Sequence, residues 1–153
     1  MLYNVLLFVH IVAAIVWVGG AIMINVLATR AVASGDPVRM ATVAKETSGV
    51  GQRIIAPSAL ILLAMGFWMV AVNDGWTIGQ AWIILALVGF GITFLTGALF
   101  FGPQALRIGK AIDEGRPTDP DVQRRIRSVV ALGRFDLLLL VLIVADMVFK
   151  PGF

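Results

Sequence analysis

Four long, predominantly apolar stretches, Leu2–Ala28, Ile54–Val72, Ala81–Phe101 and Val129–Phe149, alternate with polar segments along the chain. A helix of about 20 apolar residues crosses a hydrocarbon core roughly 30 Å thick, so each stretch is read as a membrane span. The predicted fold is therefore all-α: an integral membrane four-helix bundle forming a single transmembrane domain over residues 1–153. The first stretch does not read as a cleavable signal peptide. Its start has no basic residue, its apolar run is too long, and three further spans follow.

The connections carry helix signals of their own. Ser34-Gly35-Asp36-Pro37 and Thr118-Asp119-Pro120-Asp121 each offer an Asp at the N-cap and a Pro at the first helical position. The first predicts a short helix from Pro37 that ends near Ser48-Gly49. The second predicts one uninterrupted helix from Pro120 to Phe149, with Gly133 as the weakest point in its interior. Such a helix is about 45 Å long, so its first turns project beyond the membrane.

Composition agrees with a membrane class, at 59% hydrophobic and 14% charged residues. The net charge of +3 would suggest nucleic acid for a soluble protein, but the placement of the basic residues explains it without a nucleic-acid partner. Ten of the twelve lysines and arginines flank the connection between spans one and two or that between spans three and four. These are Arg30, Arg39, Lys45, Arg53, Arg107, Lys110, Arg116, Arg124, Arg125 and Arg127. The positive-inside rule then puts both connections in the cytoplasm and both termini outside, in a multi-pass protein of the inner (plasma) membrane. The expected partner is the lipid bilayer, with a homo-oligomer left open. No cysteine is present, which excludes disulfides, zinc–thiolate sites and thiol chemistry.

Few residues are able to carry chemistry. His10, the single histidine, lies inside the first span, where an ionisable or metal-binding side chain is a functional candidate by default. Positions 10, 13, 14, 17, 20, 21 and 24 share a helix face and read His, Ala, Ala, Trp, Gly, Ala, Ile. Such a face either packs closely on another helix or forms a slot for a flat ligand, with His10 as axial ligand and Trp17 stacking beside it. Gly89, Thr93, Thr96 and Gly97 give span three a small face suited to packing on span one or two, with the threonine hydroxyls bonded to their own helix. In span four, Asp146 either supports the far nitrogen of His10 or reaches the surface beside Lys150. Arg53 and Arg134 either grip an anionic group such as porphyrin propionates, pair with Asp136, or simply mark the cytoplasmic boundary. No nucleotide loop, nucleophile–base constellation or multi-carboxylate ion site occurs.

His10 with Trp17 seven residues later, then Gly19-Gly20, resembles the first helix of a broad group of small membrane proteins. Arg53, Pro57 and Gly66 in span two, and Gly102-Pro103 with Arg107 after span three, extend the likeness over most of the chain. The nearest likeness is to an uncharacterised family of predicted integral membrane proteins, related to the copper-resistance D family and the haem-containing membrane-bound protoporphyrinogen oxidase. The oxidase likeness implies haem b ligated by His10, although that family's membrane lysine has no counterpart within the spans. The copper likeness implies metal handling, for which the spans offer only His10 and the soft ligands Met23, Met65, Met69 and Met147. Three readings follow: a haem b protein with a redox or haem-handling role through His10, a metal or small-solute transport protein, and a cofactor-free structural or assembly subunit. One histidine cannot supply both axial ligands of a bis-histidine cytochrome within one protomer.

Overall fold

The computed structural model describes residues 1–152. Helix α1 runs from Leu2 to Ala33 and stops at Ser34, whose hydroxyl donates to the Ala31 carbonyl, followed by Gly35 at φ +68°. Helix α2, Pro37–Val50, starts where its sequence signal places it: the Asp36 carboxylate accepts from the N–H groups of Val38 and Arg39 at 2.9 and 3.4 Å.

Helix α2 does not end near Ser48-Gly49. It passes through a π turn, Gly51–Ile55, straight into α3, Ala56–Ala71. Helix α4, Ala81–Thr96, likewise continues through a π turn, Gly97–Phe101, into α5, Gly102–Asp113. The cause is the same in both. Pro57 and Pro103 lack an N–H and crowd the carbonyl four residues back. A wider turn relieves this, with Ala56 N–H bonded to Gly51 O and Gly102 N–H to Gly97 O. The two segments share one frame, glycine, four residues, alanine or glycine, then proline. That frame is visible in the sequence once its meaning is known.

Helix α6 is unbroken from Pro120 to Phe149, as expected, with Asp119 as N-cap accepting from Asp121 N–H at 2.9 Å. Gly133 does not interrupt it. A Cβ at Gly133 would lie 3.2 Å from Oδ1 of Asn25 on α1, so the glycine admits a neighbouring side chain.

The protein thus has four helical rods of 32, 35, 33 and 30 residues, each long and apolar enough to span a membrane. Phe8, Ile15, Leu85, Leu138 and Val148 are all more than half exposed on the bundle, a surface suited to acyl chains. The rods are about 45–52 Å long, well beyond the roughly 30 Å hydrocarbon core. The excess lies at the basic end. There α2, α5 and the ends of α1 and α6 bury Ala31, Met40, Ala41, Ile108, Val122 and Ile126 in a core of their own. A second core, Trp17, Ala59, Phe90 and Leu140, joins all four rods within the membrane. At the far end Tyr3, Trp76 and Trp82 meet edge to face, with the Lys150 ammonium 4.6 Å from the Trp76 ring centre. Aromatic side chains of this kind mark a membrane–water boundary.

Candidate functional site around His10

Helices α1 and α3 pack along each other, and His10 sits in that seam. Its Nδ1 lies 2.9 Å from the carbonyl oxygen of Leu62. A carbonyl only accepts, so Nδ1 carries the hydrogen and donates, and in the neutral ring Nε2 keeps its lone pair. One turn along α3, Gly66 makes room for the ring: a Cβ there would stand 3.3 Å from His10 Cε1. Among the described residues Nε2 takes no hydrogen bond, and it is not fully sealed inside the bundle.

The small-residue face below His10 is occupied. Trp17 is buried and meets Phe90 of α4 edge to face, with ring centres 5.3 Å apart at 64°. Ile55 fills the space over Gly20, where a Cβ would lie 3.0 Å from its side chain. Close packing, rather than an open interior slot, is what this face does. The small face of span three does the same against a different partner from the one expected. Gly89 packs on Ile143 and Leu139 of α6, not on span one or two. Thr93 and Thr96 donate to the carbonyls of Phe90 and Ile92 on their own helix, as expected.

The other sequence candidates are not gathered around His10. Arg53 lies in the π turn beside Ile55. Since Ile55 packs on Gly20, Arg53 sits about 15 Å along α1 from His10. Arg134 donates to Thr29 Oγ1 at 3.4 Å, about 28 Å along α1 from His10. Asp136 is half-buried and pairs with neither arginine. Asp146 does not bond His10, nor does its carboxylate reach the surface beside Lys150: both oxygens are buried and without a partner among the described residues. Along α6 it lies between Ile143, which packs on Gly89 of α4, and Lys150, which reaches Trp82.

Sequence reasoning missed Asn25. Its Nδ2 donates to the Ala21 carbonyl at 3.0 Å while its Oδ1 rests over Gly133, joining α1 to α6. The signal was present as an amide within an apolar stretch, four residues before Thr29. Among the described residues, no three His, Asp or Glu side chains come together as a metal site.

Residues 4–151 match the family described as "Predicted integral membrane protein (DUF2269)". The chain belongs to the DUF2269 family. No curated protein and no solved structure matches it. These comparisons place this DUF2269 member in no relation to the copper-resistance D or oxidase families. What is shown is a multi-pass integral membrane protein with four spans, in which His10 Nε2 has no hydrogen-bond partner among the described residues.

Proposed function

We propose that this protein binds haem b through His10 Nε2, in a redox or haem-handling role. The observation that carries the reading is the Nδ1–H bond to the Leu62 carbonyl. It orients the ring, selects the tautomer and strengthens Nε2 as a ligand, as backbone carbonyls do for metal-bound histidines. The donor chemistry fits an axial ligand. With the interior face filled by Trp17 and Ile55, the group would lie on the open side of the α1–α3 seam. Haem b when bound supplies a one-electron centre. Gly66 leaves the imidazole its space, and Trp17 packs on Phe90 about two turns further along α1. Arg53 and Arg134 lie about 15 and about 28 Å from His10 along α1, and neither Asp136 nor Asp146 bonds its ring.

Protein purified after haem-replete expression is expected to show a Soret band. The band should vanish in His10→Ala and in His10→Gln, which keeps an N–H for Leu62 but has no ring nitrogen. It should persist in Trp17→Phe. Wild-type protein without the band overturns the reading. The filled face of α1 then favours the second one, a cofactor-free structural or assembly subunit in which His10 joins two helices. In that case His10→Ala costs only about 0.6–2 kcal/mol, the range for an interhelical membrane hydrogen bond.

The basic end is assigned to the cytoplasm of a cell bounded by this inner membrane, and both termini to the outside. Because the chain has no cysteine, single introduced ones report directly. Ile78→Cys is expected to react with an impermeant maleimide on intact cells, and Lys110→Cys only after permeabilisation. The reverse pattern inverts the topology.

A further inference from the structure

Arg124, Arg125 and Arg127 lie on the first turns of α6, and the fold builds them into a trough that the His10 reading does not use. One part, about 200 Å³, is a cleft with Phe100 and Gln104 on one side and Arg124, Arg125 and Ser128 on the other. A second part, about 570 Å³, follows α6 from Pro120 to Ala131 past Gln123 and Arg127. Arg124 and Ser128 line both, so the two adjoin at these side chains. The trough is about 16 Å long and lies where α6 leaves the apolar stretch.

Its charges are unequally committed. Arg125 is held as a wall, with Nε donating to Asp121 at 2.7 Å and Nη1 to Gln104 at 3.1 Å. Arg124 shares Asp121 at 2.8 Å. Those bonds from Arg125 and Arg124 hold the Asp121 carboxyl below its usual range, so it stays ionised and offsets part of their charge. Arg127, three residues from Arg124 on the same face, has no ion-pair partner among the described residues. Gln123 adds a different feature. It is buried and braces the start of α6, its Nε2 donating to the carbonyls of Pro37 and Pro117, while its Oε1 is sealed from the surface without a partner among the described residues.

We propose that this trough binds one anionic phospholipid of the leaflet at the basic end. The headgroup phosphate would lie on Arg124 and Arg127, and the acyl chains would pass Phe100. The arginines supply charge-assisted bonds to a phosphodiester, and their uncompensated charge favours a headgroup with net negative charge, as in phosphatidylglycerol, over a zwitterionic one. Phe100 on the membrane side favours a lipid over a free anion.

The test is native mass spectrometry of the detergent-purified protein titrated with phosphatidylglycerol or with phosphatidylcholine of the same chains. Wild type is expected to retain one phosphatidylglycerol about tenfold more tightly, and Arg124→Gln/Arg127→Gln to lose most of that preference. The pair Arg39→Gln/Lys110→Gln removes the same charge from the same end and should leave the affinity within about twofold. Equal losses in both pairs overturn the proposal in favour of a diffuse positive surface. Displacement of the lipid by soluble glycerol 3-phosphate at matching concentration overturns it in favour of a free-anion site. Unchanged melting in phosphatidylcholine nanodiscs shows that the variants remain folded.

Discussion

Trp17→Ala is expected to destabilise the protein by about 3–5 kcal/mol, the usual range for removing a buried tryptophan, and to fall near its lower end. Trp17 is 8% exposed and sits where α1, α3, α4 and α6 converge, against Ala59, Phe90 and Leu140. Within a bilayer the transfer term is small, because acyl chains are as apolar as the core. What is lost is packing: many individually weak dispersion contacts and the edge-to-face contact with Phe90. Trp17→Phe keeps much of the volume and should lose only about 1.5 kcal/mol or less. SDS titration in mixed micelles measures both. An alanine variant within about 1 kcal/mol of wild type would mean that this junction is not the membrane core.

Gly89→Leu is expected to destabilise by up to about 3 kcal/mol for the opposite reason, overpacking. Even a Cβ at Gly89 would lie 2.7 Å from Ile143 Cγ1 and 2.9 Å from its Cδ1. Ile143 is β-branched and has one strongly preferred rotamer in a helix, so it cannot swing clear and α4 must move away from α6. A Cβ at Gly91, two residues on, would meet nothing within 4 Å, so Gly91→Leu serves as the control. Adding Ile143→Ala should restore part of the loss, a coupling expected only of residues in contact. If the Gly89 and Gly91 variants melt together, the α4–α6 seam is not where the structure puts it.

Both effects arise at contacts between helices, and that is where reading the chain became incomplete. The spans, the helix starts at Pro37 and Pro120 and the continuity of α6 all follow from local features. In a bilayer a helix satisfies its backbone within its own segment, so run length, an N-cap carboxylate and a following proline suffice to place it. The same holds for Thr93 and Thr96, whose acceptors are on their own helix. The π turns are local too, but the sequence reading took Ser48-Gly49 as a stop and passed over the proline frame.

The candidate site is another matter. His10 stood out because it is ionisable within a span, whereas its partner is a main-chain carbonyl, a group that every residue carries and no pattern marks. Asp146 had two places open to it, beside His10 or at the surface near Lys150, and takes neither: both carboxylate oxygens are buried without a partner among the described residues. Gly89 was recognised as a packing position and given the wrong neighbour. Each of these outcomes depends on the rotation of one helix against another. Spans that are apolar all round carry little facial marking, and only the packing of side chains such as Trp17, Ile55 and Ile143 sets that rotation.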